Sequence, residues 1–208
     1  MRSLGTRERL IEAAGEAFAC VGYDKASVRQ ICKLAKTNVS SVSYHFGDKA
    51  GLYEQVVCSA MSGSCEREEQ VLAALSDDPR TALRQIVEMF AVNSMNKQRR
   101  EWHKGIFMRE MDNPRCEASR RFRDLRRRID ESVHRCVRAM LSGSASDLEA
   151  TLVACSIIGQ CLHFFVKGHI VDSLAAEGHD RAGIHEAITR HILKFSEKGM
   201  TYLSEVTA

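Results

Sequence analysis

Proline, tryptophan and long apolar runs are all scarce in this chain. Its 208 residues include two prolines and one tryptophan. Because proline interrupts helices and strand-like alternation of apolar and polar residues is also scarce, we expect an all-α fold of about nine helices. No apolar run approaches the roughly 20 residues that span a bilayer, so we expect no membrane partner. The first residues lack the apolar stretch of a secretory signal, which favours a cytoplasmic protein.

The eight cysteines contain no Cys-x-x-Cys pair. Most have apolar neighbours, so we interpret them as small core residues of a reduced protein. The nearest approach to a metal motif, Cys161-Leu162-His163, lacks the spacing of a zinc site, and we predict no metal ion. The chain also lacks a glycine-rich phosphate loop, a Ser-His-Asp order and a His-x-x-Glu pair. We therefore predict neither a cofactor nor a catalytic residue, and not an enzyme.

Positive charge is concentrated at one end of the chain. The first 50 residues hold eight Lys or Arg and five Asp or Glu, which accounts for the whole net charge of +3. A basic head on a neutral body is compatible with nucleic-acid binding. We accordingly predict a DNA-binding domain over residues 1–50 and a helical body over residues 51–208.

Capping and breaking residues predict further helix boundaries. Gly22 is expected to end the first helix, and Asp48 to cap a long helix that runs to about Leu75. Asp78-Pro79, Asn113-Pro114 and Ser146-Asp147 are expected to begin three more helices, with a break at residues 142–144.

Two short helices are predicted at residues 27–34 and 38–45, separated by a tight corner. Ser27 and Asn38 are the predicted caps. These are the proportions of a helix-turn-helix, in which the second helix enters the major groove of DNA and the first crosses the phosphate backbone. Paired short helices also occur in ordinary cores, so the spacing alone leaves both interpretations open.

The second short helix, Asn38-Val39-Ser40-Ser41-Val42-Ser43-Tyr44-His45, is rich in hydroxyl groups. Its serine hydroxyls can form hydrogen bonds to base edges, and methyl groups at its start can contact the methyl group of thymine. The tyrosine and histidine at its end can contact phosphates. The predicted DNA-binding residues are Ser27, Arg29, Lys36, Thr37, Asn38, Val39, Ser40, Ser43, Tyr44, His45 and Lys49.

The run Tyr44-His45-Phe46-Gly47-Asp48-Lys49, followed by Leu52-Tyr53, resembles the DNA-binding head of the TetR family. The first helix is also similar, with Arg9-Leu10-Ile11-Glu12-Ala13-Ala14, then Phe18 and Gly22-Tyr23. The resemblance implies a three-helix head that reads operator DNA and a helical body that dimerises and binds a small ligand. Two residues depart from the family pattern, Lys36 where glycine is frequent and Thr37 in place of an aliphatic residue. If Lys36 is left-handed, it costs about 1 kcal/mol relative to glycine.

The body more faintly resembles the CecR-type branch of that family, through Arg109-Glu110-Met111-Asp112-Asn113-Pro114, Ile158-Gly159-Gln160 and Phe164-Phe165. The resemblance implies a homodimer and an effector pocket. Methionine and aromatic side chains suit an adaptable apolar cavity, although such stripes are more often plain core. The predicted pocket residues are Met61, Met89, Phe90, Trp102, Phe107, Met108, Met111, Phe122, Gln160 and His163.

The helices predicted at 147–173 and 181–204 are the best dimer elements, because the first is too apolar to be covered on one side only. An arginine-rich segment, residues 120–128, is interpreted as a solvated helix face rather than a nucleic-acid site. The leading hypothesis is a one-component repressor that binds palindromic operator DNA as a dimer and is released by a small molecule. A redox-responsive or an activating regulator on the same fold remains the alternative. Cys58 and Cys65 are about 10 Å apart by helical rise, too far to form a disulfide within one straight helix.

Overall fold

The computed structural model describes residues 4–61, 64–94, 101–112, 115–141 and 145–206. Every regular element in these ranges is an α-helix, which confirms the all-α prediction. The described residues form eleven helices rather than about nine: α1 (Thr6–Lys25), α2 (Val28–Leu34), α3 (Ser40–Phe46), α4 (Lys49–Met61), α5 (Ser64–Ala73), α6 (Pro79–Ser94), α7 (Glu101–Asp112), α8 (Glu117–Met140), α9 (Asp147–Val166), α10 (His169–Ala176) and α11 (Arg181–Val206).

One of the predicted long helices is divided in the structure. The helix expected from Asp48 to about Leu75 is described as α4 and α5, on either side of residues 62–63, which lie outside the described ranges. The helix expected to continue to about Ser173 ends at Val166, where Lys167 leaves helical geometry with φ −94° and ψ 43° before α10 begins. Gly22 was expected to end α1; it leaves helical geometry at φ +83°, but α1 continues to Lys25.

Three predicted helix starts are confirmed by their capping bonds. The Asp48 carboxylate accepts a hydrogen bond from the Gly51 backbone N–H at 2.8 Å, and Asp78 accepts one from Thr81 at 2.8 Å. Ser146 begins α9 with a reciprocal capping box to Glu149. The start predicted at Asn113-Pro114 and the break predicted at residues 142–144 lie outside the described residues.

The chain divides into two compact units. Unit 1 contains residues 1–65 and 97–124, and unit 2 contains residues 66–96 and 125–208. In unit 1, α1 packs on α4 and α7. In unit 2, α6 packs on α9 and α11. The largest fully buried apolar side chains are Leu10, Phe18, Ile31, Leu52, Val56 and Ile106 in unit 1, and Leu83, Ile86, Ile129, Ile157 and Ile192 in unit 2.

Helix α9 is long and strongly apolar. Its 20 residues include a window of mean hydropathy 1.5, which satisfies the length and composition of a membrane span. The expectation that no segment approaches this limit was therefore wrong. Only 28% of that window is buried within the chain, although α9 packs on α6 and α11.

Candidate nucleic-acid interface

The first three helices enclose a small core that holds the corner between α2 and α3 in place. The core includes Leu10 and Phe18 of α1, Ile31 of α2 and Val42 of α3, all at most 2% exposed, and α1 packs on both short helices. The Arg9 guanidinium donates through Nε to the backbone oxygen of Ala35 at 3.1 Å, which ties α1 to the end of α2. The three-helix head expected from the sequence is therefore present.

The corner itself runs through Lys36 in a left-handed conformation, with φ +51°. Because Lys36 is left-handed, the cost expected from the sequence applies: this backbone conformation is about 1 kcal/mol less favourable for lysine than for glycine. The Thr37 backbone N–H donates to the Cys32 oxygen at 3.0 Å. The Thr37 hydroxyl lies 2.8 Å from the Ser41 hydroxyl. Thr37 thus joins the corner to the first turn of α3.

Helix α3 has one buried side and one exposed side. Val42 is 2% exposed and faces the core, whereas Tyr44 is 85% exposed. Ser40 and Ser43 are exposed as well. A helix that turns hydroxyl-bearing residues to solvent and a valine to the core can present its outer side to a groove of DNA.

Two of the predicted caps were wrong in detail. The N-cap of α3 is Val39 rather than Asn38, and neither Val39 nor Ser27, the N-cap of α2, makes a side-chain capping bond to the described residues. The cause at α3 is the Asn38 backbone, whose oxygen accepts from the Ser41 N–H at 3.0 Å and so begins the helical turn without the side chain.

None of the eleven predicted DNA-binding residues is buried. The exposed ones are Arg29, Lys36, Asn38, Val39, Ser40, Ser43 and Tyr44, and the partly exposed ones are Ser27, Thr37, His45 and Lys49. The structure therefore brings the whole set to the surface of one three-helix head. Their contacts with DNA remain predictions.

The turn from α3 to α4 depends on two glycines. Gly47 has φ +80°, a conformation that costs an L-residue free energy. A Cβ added at Gly51 would overlap the Phe46 backbone oxygen, so this position also requires glycine. The turn places the Lys49 ammonium 4.6 Å from the Tyr23 ring centre and 3.4 Å from the Asp24 backbone oxygen.

Comparison with known proteins agrees with this geometry. The sequence model described as "Bacterial regulatory proteins, tetR family" matches residues 10–56. The model described as "HTH-type transcriptional dual regulator CecR, C-terminal domain" matches residues 79–200, which is more than half of the chain. The chain belongs to the TetR family of transcriptional regulators. Both resemblances noted in the sequence are confirmed.

Individual TetR-family relatives match in part. The transcriptional regulator BetI of Pseudomonas aeruginosa is 40% identical over 83 residues, which is 39% of this chain and 42% of BetI. AcrR of Shigella flexneri is 24% identical over 142 residues, 65% of this chain and 66% of AcrR. The chain thus spans about two fifths of the length of the BetI relatives that it matches. A TetR-family regulator from Bordetella parapertussis has the same fold, with a TM-score of 0.61, 17% identity, and coverage of 92% of this chain and 95% of that one.

The residues predicted to line an effector pocket are divided between the two units. Unit 2 holds Met89, Phe90, Gln160 and His163, and the other six belong to unit 1. Trp102 packs against Gly15, and its indole N–H donates to the Glu12 carboxylate at 3.1 Å. The remaining members in unit 1 are Met61, Phe107 and Phe122, which are buried, Met111, which is partly exposed, and Met108, which is 48% exposed. His163 is exposed, and the pocket assignment stays a prediction.

A buried carboxylate, which the sequence did not single out for this role, organises unit 1. Glu110 is 1% exposed and accepts hydrogen bonds from the hydroxyls of Tyr53 and Ser119 and from the Arg115 backbone N–H, the last at 3.0 Å. The Arg115 side chain continues to Asp24 with bonds of 2.8 and 3.2 Å. Burial, followed by the hydrogen bond to Glu110, raises the pKa of Tyr53 well above its usual value of 10.0.

The arginine-rich segment of α8 is mostly a solvated face, as predicted. Arg127, for example, lies 3.6 Å from Glu131 one turn away, and both side chains are more than half exposed. Arg126 is the exception, since it is 5% exposed. The burial of Arg126 could have been predicted from helical spacing, because it lies four residues after Phe122 and three before Ile129, on the buried side of the helix.

Only three of the eight cysteines, Cys32, Cys136 and Cys161, are buried, so the interpretation of them as core residues holds for a minority. Burial raises the pKa of Cys32 and Cys136, and raises that of Cys161 to about 12. The pKa of Cys58 is raised as well, by partial desolvation. A raised thiol pKa lowers the fraction of reactive thiolate. These four residues therefore do not favour the redox-responsive alternative.

Proposed function

We propose that this TetR-family chain is a dimeric repressor that binds a palindromic operator through α3 of each subunit and is released by a small-molecule effector. The observation that carries the proposal is the division of α3 into a buried Val42 side and an exposed side with Ser40, Ser43 and Tyr44. Such a regulator acts where the genome is, so we place it in the cytoplasm.

The roles of the exposed side chains follow from their chemistry. Ser40 and Ser43 are assigned to base edges in the major groove, where a hydroxyl can donate or accept. Tyr44, His45 and Lys49 are assigned to phosphates, which fix the register of the helix but carry no sequence information. Lys36 adds a positive charge at the exposed corner of the head.

The exposed apolar residues of unit 2 support dimerisation. Leu148 and Leu152 of α9 are 67% and 57% exposed, and Phe195 and Tyr202 of α11 are 64% and 65% exposed. Leu152, Phe195 and Tyr202 line an apolar groove of about 370 Å³ between the two helices. Contiguous apolar patches of this kind mark association surfaces, and a two-fold dimer reads two half-sites about 34 to 36 Å apart.

Release by an effector requires that the ligand prefer one arrangement of the body. A ligand that binds better to the state with mismatched head spacing must weaken DNA binding by the same coupling free energy. The size of this effect depends only on the difference between the affinities of the ligand for the two states.

The experiment is selection of bound fragments from the native genome, followed by a shift assay on the recovered palindrome at several salt concentrations. We expect Tyr44→Ala and Lys49→Ala each to weaken binding roughly tenfold or more. In Lys49→Ala the slope of log affinity against log salt should fall by about 0.9 per lost phosphate contact. Lys198→Ala, an exposed lysine of unit 2, is the matched control. Unchanged affinity in both test variants would overturn the α3 assignment, and a reporter gene distinguishes repression from activation.

The same samples test the dimer surface. Leu152→Glu should give a monomer in light scattering, because a charge would be buried at the subunit contact. Val21→Glu, at a 46% exposed apolar residue of unit 1, should leave the mass unchanged. A native chain that is monomeric at the concentrations of the shift assay would contradict the proposal.

A further inference from the structure

Unit 2 contains an arginine whose hydrogen bonds are incomplete. Arg126 is 5% exposed, and its guanidinium lies 4.5 Å from the centre of the Phe90 ring. Its Nη1 is 3.9 Å from the Glu68 carboxylate, beyond the length of a hydrogen bond. Its Nε is buried and has no partner among the described residues. Buried donors are almost always satisfied, so an orphaned one on a charged group requires an explanation.

The polar neighbours of Arg126 leave its Nε unsatisfied. Glu68 is 4% exposed, and its carboxylate accepts a hydrogen bond from the Asn93 side-chain N–H at 3.3 Å. The Arg67 guanidinium donates to the Asn93 side-chain oxygen at 2.6 Å. Burial raises the pKa of Asp130, one turn along α8, and the charge of Arg126 offsets part of that rise. Neither carboxylate forms a hydrogen bond to Nε.

The unpartnered edge of Arg126 has the shape of a carboxylate site. Nε and the adjacent Nη2 of a guanidinium form a planar fork that matches the two oxygens of a carboxylate. Glu68 approaches Nη1 and so leaves this edge available. The Phe90 ring holds the guanidinium plane and provides an apolar wall next to it.

We infer that the effector of this regulator is a small carboxylate with an apolar body, and that its carboxylate bonds to the Nε edge of Arg126 inside unit 2. This inference rests on the proposed effector response and specifies its chemistry. One predicted pocket residue, Phe90, takes part, whereas Arg126, Glu68 and Asn93 were not among those predicted.

The test compares carboxylates with their neutral amides on the full-length chain. The probes are benzoate and hexanoate, each paired with benzamide and hexanamide, at equal millimolar concentrations. Thermal unfolding measures binding directly, because a ligand of the native state raises Tm. Anisotropy of a labelled operator duplex measures release. We expect at least one acid to raise Tm and weaken operator binding, with an affinity roughly tenfold or more above that of its amide.

Two variants locate the site. Arg126→Lys keeps the positive charge beside Glu68 but removes the fork, and should abolish the difference between acid and amide. The double variant Glu68→Gln/Arg126→Met removes both charges together and should do the same even if the lysine variant is poorly folded. Arg127→Lys, the exposed neighbour on α8, is the matched control and should respond as the native chain does.

The outcomes separate this inference from the proposed function. If no acid exceeds its amide, or if the preference survives in the folded variants, a buried water completes Arg126 and the inference is wrong. In that case operator binding by the native chain still stands. If the chain binds no palindrome, the repressor proposal fails, while the thermal measurement continues to report on the carboxylate site.

Discussion

Both units bury an ionisable side chain, but they satisfy it to different degrees. In unit 1, Glu110 accepts from two hydroxyls and one backbone N–H, all within the unit. In unit 2, Arg126 stacks on Phe90 and faces Glu68 at 3.9 Å, with Nε unpartnered among the described residues. A saturated buried charge holds helices in one arrangement, whereas an unsaturated one keeps bonding capacity for another molecule. The contrast suggests a structural role for Glu110 and a sensing role for Arg126.

Removal of the saturated carboxylate should have the largest effect. Glu110→Ala leaves the hydroxyls of Tyr53 and Ser119 buried without an acceptor, so we expect a loss of about 3 to 5 kcal/mol in the free energy of unfolding. Guanidinium denaturation at neutral pH measures it. Glu117→Ala, at a carboxylate whose side chain is 57% exposed, is the control and should change stability by about 0.5 kcal/mol or less. A loss below about 1 kcal/mol for Glu110→Ala would remove the proposed contrast between the units.

Loss of one donor to the same carboxylate should have a smaller effect. Tyr53→Phe is expected to cost about 1 to 2 kcal/mol near neutral pH. Because the pKa of Tyr53 is raised in the folded chain, its contribution is fully present below the unfolded value of 10.0 and decreases as the pH rises further. The stability difference between the native chain and Tyr53→Phe should therefore shrink above pH 10.

Urea denaturation from pH 7 to alkaline pH measures this difference. Tyr202→Phe, at a tyrosine that is 65% exposed, serves as the control. A difference that stays constant throughout the range would show that Tyr53 acts by packing and not through its proton.

Replacement of the Glu68–Arg126 pair, whose hydrogen bonds are incomplete, should have the smallest effect on stability. Glu68→Gln/Arg126→Met removes both charges and keeps most of the volume, and buried ion pairs replaced in this way often change stability little. We expect a change of about 1 kcal/mol or less in denaturant unfolding. A loss as large as that of Glu110→Ala would mean that the cluster in unit 2 is also structural.

Local signals were enough for the head. The apolar positions of α1, α2 and α3, the serines between them and the Tyr44-to-Lys49 run predicted a three-helix unit with its second short helix exposed, and the structure contains it. Such features repeat within a few residues of each other, so periodicity and turn chemistry reveal them. The cap at Asn38 was wrong because its backbone, rather than its side chain, begins the turn.

Contacts between residues far apart in the sequence could not be predicted from such local patterns. Tyr53 meets Glu110 from 57 positions away, and Glu68 and Arg126 come from different helices of unit 2. The arginine run of α8 suggested a solvated face, and only packing shows which one of its members points inward.

By itself, the sequence determined the helical class, the exposed side of α3, the basic head and the TetR-family resemblance, since each depends on spacing along a single helix or turn. Tertiary structure alone decided which polar groups lose contact with water and which of them find partners. The physical reason is that the cost of burying a charge depends on every neighbour that packs around it, and those neighbours are distant along the chain.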